Sequence, residues 1–168
     1  MLIKSFGLFW EVDEIDWYPG SGNRDCFRLL GRKGANRPGI RVANFINQRG
    51  VYILYNNYGP YYVGLTCERG LGLRLRDHLE DRHAGMWTRF SWFGFREFLD
   101  ETNDGVELIS PISNEIFGNS NEAIKDLEAL LIKAIGTANI NDMSFCKADE
   151  WIQIKGHEVE KYIKKIAP

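Results

Sequence analysis

Little in this chain points to a membrane span, a zinc finger or a disulfide scaffold. No apolar run approaches the roughly 18 residues that a membrane span needs. The three cysteines, Cys26, Cys67 and Cys146, are odd in number and far apart, and no two have metal-ligand spacing. They read as reduced thiols, the state expected in a cytoplasm. Basic excess is missing too. The formal net charge is -2, which argues against a protein whose affinity comes only from coating phosphates. The first residues, MLIKSFGLFWEVDE, carry a lysine and a short apolar patch, then turn acidic without a small-residue cleavage site. They do not read as a signal peptide. Internal repeats and low-complexity tracts are absent from the sequence.

What is present is enough apolar material for a core. Apolar residues make up 44% of 168, which suits one domain with an embellishment and argues against disorder. Residues 1–20 alternate apolar and polar in places and carry Trp10, Trp17 and Tyr18, which predicts short strands. PGSGNRD (19–25) is a turn, CFRLL (26–30) fits another strand, and GRKGANRPG (31–39) is a basic loop. IRVANFINQR (40–49) fits strand or helix. A segment this short buries little alone. Residues 1–48 are therefore expected to be an extension packed on the rest of the chain.

GVYILYNNYGPYYVGLT (50–66) predicts a hairpin. VYILY and YYVGL are β-branched and aromatic, and NNYGP is a turn by composition. A turn around 56–58 would set Tyr52 opposite Tyr62 on one sheet face, with Gly64 leaving an open spot there. LGLRLRDHLEDRH (71–83) predicts a helix with Leu71, Leu75 and Leu79 as its apolar stripe. Arg74 and His78, four residues apart, share a face beside that stripe. WTRFSWFGF (87–95) predicts a third strand. Ser120 or Asn121 caps a helix through EAIKDLEALLIKAIG, which Gly136 can close. On it, Glu128 lies at the edge of an apolar stripe, an awkward place for a carboxylate unless a cation or donor meets it. EVEKYIKKI (158–166) predicts a final amphipathic helix. The order predicts an α+β fold: a small three-stranded antiparallel sheet flanked by helices, with an N-terminal β-rich extension.

Taken together, these residues resemble the GIY-YIG nuclease superfamily. The first motif stands as Gly50-Val51-Tyr52 and the second as Tyr62-Val63-Gly64, ten residues on. LRLRDHL matches the family's first helix, with Arg74 or Arg76 as its arginine and the four-residue step to His78 favouring Arg74. LEALLIKAIGTANIN matches the family's glutamate helix, giving Glu128, then Asn139 or Asn141, with Asn141 preferred on spacing. Valine replaces isoleucine in both motifs, and Arg69-Gly70-Leu71-Gly72 lengthens the loop before the helix. The resemblance covers about residues 49–142 as a nuclease core, with 143–168 as a C-terminal extension.

The resemblance implies a DNA endonuclease that hydrolyses phosphodiesters with activated water and one Mg²⁺ or Mn²⁺ on Glu128. Catalytic residues would be Tyr52, Tyr62, Arg74, His78, Glu128 and Asn141. A lone carboxylate suits a hard cation, and a planar guanidinium suits non-bridging phosphate oxygens. Tyr52 would be the base or relay for the attacking water, and His78 would take its proton or bond Tyr62. A restriction-type or phage-defence nuclease in the cytoplasm fits a chain without separate targeting domains. DNA is the implied partner, with a second copy or a defence-system protein beside it and no membrane. The alternative is a catalytically silent nucleic-acid- or partner-binding protein on the same scaffold.

Overall fold

In a computed structural model, the described residues are 2–20, 27–34, 40–66, 69–103, 105–110, 120–135, 145 and 148–166. The strands are β1 (Ser5–Glu11), β2 (Leu30–Lys33), β3 (Arg41–Asn44), β4 (Gly50–Asn56), β5 (Gly59–Thr66), β6 (Arg89–Gly94), β7 (Phe98–Asn103), β8 (Val106–Ile109), β9 (Asp149–Glu150) and β10 (Ile152–Gln153). The helices are α1 (Leu71–Glu80), α2 (Ser120–Ile135) and α3 (Val159–Ile166).

The strands form two five-stranded sheets, β5-β4-β6-β1-β9 and β10-β2-β3-β8-β7. Both are mixed, because β1 pairs β9 in parallel and β3 pairs β8 in parallel. This overturns the expected small three-stranded antiparallel sheet flanked by helices. β1 is not laid outside the sheet as an extension: it runs between β6 and β9. The hairpin of β7 and β8 is not among the expected elements, although Gly105 at its turn has φ +73°, the conformation glycine allows. Parallel pairs join segments remote in the chain, and local periodicity does not reveal them.

The main core lies between the sheets. Trp10, Tyr52, Leu54, Phe90 and Trp92 of the first sheet meet Ala43 of the second, Leu71 and Leu75 of α1, and Phe45 and Trp151. The chain crosses from one sheet to the other at Trp151, between β9 and β10, and the Trp151 carbonyl accepts the Trp10 indole N–H at 3.1 Å. The opposite face of the first sheet, Ile53, Tyr55 and Phe93, is covered by Ala129, Leu130 and Ala134 of α2. Tyr162 of α3 packs on Leu30 and Val42 of the second sheet. No helix among the described residues is long and apolar enough to cross a membrane.

The hairpin register differs from expectation. Tyr52 stands opposite Gly64, and Tyr62 opposite Leu54, with an irregularity between Leu54 and Tyr55. The two-residue displacement preserves side-chain parity, so Tyr52 and Tyr62 still share a face, as diagonal neighbours with rings 6.3 Å apart. The first motif's glycine has its own cause. Gly50 has φ +152°, and a Cβ there would lie 2.0 Å from the Phe93 carbonyl oxygen. Phe93 lies in β6, which is held by pairing to β4 on one side and to β1 on the other, so its backbone cannot step aside cheaply. Gly50→Ala should therefore cost about 2–4 kcal/mol, read as a lower urea midpoint. An unchanged midpoint would show that β4 and β6 separate freely at this point.

Candidate active site

Four of the sequence-predicted residues come together: Tyr52, Tyr62, Arg74 and His78. Gly64 makes room for the first. A Cβ on Gly64 would stand 2.2 Å from Tyr52 Cζ and Oη, so the second motif's glycine is a cradle for the first motif's tyrosine. Tyr52 is wholly buried, and His78 nearly so. α1 reaches them because its N-terminal end docks tightly. Leu71 N–H donates to the Gln48 carbonyl at 2.8 Å. Gly70 and Gly72 let the helix lie against Ile46, where side chains would collide.

His78 Nε2 lies 2.7 Å from Tyr52 Oη, and His78 Nδ1 lies 2.7 Å from Asp81 Oδ2. An ionised Asp81 fixes the proton on Nδ1. Nε2 is then the acceptor, and the Tyr52 hydroxyl donates to it. The other Asp81 oxygen accepts the His83 backbone N–H at 2.8 Å. His83 Nε2 accepts from Arg82 Nε at 3.3 Å, which leaves Nδ1–H to donate to Tyr61 Oη at 3.1 Å. The His83 ring also packs on Tyr62, with centroids 4.5 Å apart. Asp81, His83 and Tyr61 had no place among the predicted site residues. The signal for Asp81 was its position three residues after His78, one helical turn on.

Burial pushes the Tyr52 phenol up to about 12, against the pull of the Arg74 charge beside it. Burial lowers His78, with Asp81 opposing. Arg74 is the arginine that faces the two tyrosines. Burial would lower it, but the Tyr52 and Tyr62 phenols hold it above its usual value. Its side chain stays 40% exposed and 3.9 Å from Asp77, so the guanidinium links buried Tyr52 and half-buried Tyr62 to solvent. Arg76 points elsewhere, over the Phe27 ring at 5.1 Å.

Glu128 lies on α2, whose described core residues pack on the Ile53 and Tyr55 side of the sheet. Its side chain, and both Asn139 and Asn141, are outside the described residues. Among the described residues, one set has metal-ligand chemistry: His78, Asp81 and His83, with ligand atoms within 4.8 Å of one another. It does not fit a cation as arranged. Each imidazole carries its proton on one nitrogen, and the lone pair of the other already accepts from Tyr52 or Arg82. The set is a hydrogen-bond relay.

Compared with known proteins, the chain matches no family model, no curated protein and no solved structure.

His78 and Tyr52 each tie part of the stability to pH, from opposite sides of neutrality. Native His78 titrates below its usual 6.5, so the unfolded chain takes up the extra proton. Stability is full above about pH 6.5 and falls as pH drops through the lowered value. Native Tyr52 titrates near 12 and the unfolded residue near 10. Its contribution is full below pH 10 and is lost as pH rises to 12, about 2–3 kcal/mol in all. Denaturant unfolding across pH should show both arms. Tyr52→Phe should shrink the alkaline arm, leaving the share of Tyr55, which burial also raises. An alkaline arm untouched by that change would assign it to other groups.

Proposed function

We propose that the chain is a metal-dependent DNA endonuclease of the GIY-YIG type. The observation that supports this most is the chain of hydrogen bonds from Tyr52 through His78 to Asp81, set beside Arg74 and Tyr62. Phosphodiester hydrolysis needs a proton acceptor for water and a positive group for the phosphorane oxygens. In the proposed reaction Arg74 holds the non-bridging oxygens with its planar fork. Tyr52 Oη takes the proton of the attacking water as its own proton moves to His78 Nε2. Asp81 stabilises the imidazolium that results. Tyr62 orients the water or a phosphate oxygen. Glu128 would hold one Mg²⁺ or Mn²⁺, which when bound neutralises charge at the leaving oxygen. Asn141 or Asn139 completes the family set. Restriction or phage defence is the biological setting this reading favours.

One observation favours the second reading, a silent nucleic-acid- or partner-binding protein. Tyr52 has no exposed surface, so water reaches its oxygen only if a neighbouring group moves.

Plasmid nicking with Mg²⁺ separates the two. The nuclease reading expects wild-type protein to nick. Tyr52→Phe and Glu128→Ala should each lose at least about 100-fold in rate, the scale of a lost acid–base or charge-stabilising group, with DNA still bound. Asp81→Asn should lose less and move the acid limb of the pH–rate profile, because Asp81 acts through His78. Binding without nicking by the wild type would select the silent reading. Nicking by Glu128→Ala at the wild-type rate would remove Glu128 as metal ligand.

A further inference from the structure

Away from Tyr52, where β4 begins and β6 has just ended, two arginines stand side by side. Arg49 precedes β4 and Arg96 follows β6, and Phe95 N–H donates to the Arg49 carbonyl at 2.8 Å. One buried side chain fixes both. Gln48 is 1% exposed, and its Oε1 accepts from Arg49 N–H at 2.8 Å and from Arg96 N–H at 3.1 Å. Its Nε2 donates to Ser5 Oγ and to the Arg96 carbonyl. Gly94 leaves space for it, since a Cβ there would lie 2.4 Å from Gln48 Cδ. Three of the carboxamide's four hydrogen bonds thus hold the backbones of the two arginines.

The guanidiniums themselves are not balanced. Arg96 Nη1 donates to the Asn47 carbonyl at 3.2 Å. Among the described residues neither arginine forms an ion pair with a carboxylate, and the Nε of each is buried without a hydrogen-bond partner. Burial and then the Arg49 charge both lower Arg96. Two like charges held together by a buried scaffold cost free energy unless an anion joins them. Their forked donors suit tetrahedral phosphate oxygens.

We propose that Arg49 and Arg96 form a phosphate clamp that grips a polynucleotide backbone phosphate beside the one held at Arg74. The polynucleotide assignment rests on the nuclease reading; the clamp itself rests on the arginine pair. Arg49 is three residues before Tyr52 on β4, about 10 Å along an extended strand. Gln48 also anchors the α1 N-terminus through its carbonyl, so clamp and candidate active site are held by one residue.

The test is binding of a fluorescein-labelled DNA duplex in EDTA, across a salt series, by wild type and by R49Q/R96Q. The clamp predicts about tenfold weaker binding and a salt slope shallower by about one, the value for one lost phosphate contact. R49K/R96K keeps both charges and should keep the wild-type slope. R49Q and R96Q singly carry the test if the double variant unfolds, each weakening binding several-fold. Unchanged affinity and slope would overturn the clamp while leaving nicking, measured separately, to judge the nuclease. Clamp-dependent binding by a wild type that never nicks would keep the clamp and remove hydrolysis. No DNA binding by the wild type removes the polynucleotide assignment. If inorganic phosphate then raises the melting temperature of the wild type but not of R49Q/R96Q, the pair serves free phosphate instead.

Discussion

The candidate active site depends on one requirement: the hydroxyl of a wholly buried tyrosine must find a partner. Left unsatisfied, such a group costs about 1–3 kcal/mol. At Tyr52 the partner is His78, and the surrounding features serve to bring the two together. Gly64 yields the space that the ring occupies. Gly70 and Gly72 let α1 lie close enough to deliver His78. Asp81, just past the end of α1, fixes the imidazole so that the correct nitrogen accepts. The glycines of the second hairpin motif and of the N-terminal end of α1 are therefore spacing devices for a tyrosine–histidine contact.

A second requirement acts at the sheet end. Gln48 has four hydrogen bonds in a site without solvent, and each goes to a group that positions β1 or an arginine. A buried amide that is fully satisfied rigidifies its surroundings. Here it aligns the start of β4 with the end of β6. The same alignment places Gly50 against Phe93 and sets the starting point from which Tyr52 is counted. Strand register and arginine placement are two consequences of one side chain.

Legibility in the sequence depended on range. The hairpin of β4 and β5, helix α1, strand β6 and helix α2 each lie within a short window, and periodicity with turn chemistry located them. Tyr52 and Tyr62 stand two residues from the expected pairing, one from the place of the turn between Asn56 and Gly59 and one from the irregularity at Leu54–Tyr55, which has no composition of its own. The two mixed sheets were not legible. Ser5 pairs with Asp149, and Val42 with Val106, and no local pattern announces partners so far apart. Within the site, Tyr52, Tyr62, Arg74 and His78 were legible because motif spacing fixes them. Asp81 was hidden because an aspartate at a helix end in an arginine-rich stretch reads as ordinary charge balance. Only its contact with His78 gives it a role.

The relay also bears on a difficulty in using a buried tyrosine as a base. Burial pushes Tyr52 up to about 12 and lowers His78. Both shifts keep the proton on the phenol in the resting protein. A standing phenolate beside an imidazolium is therefore not populated. The difficulty disappears if the phenol passes protons without losing its own first. In the proposed reaction Tyr52 Oη gains the water proton as it gives its own to His78, so it ends neutral. The basicity that matters is then that of His78, which is neutral near pH 7 because burial lowers it. Burial, which would disable Tyr52 as an independent base, leaves it suited to be a conduit between water and a neutral imidazole.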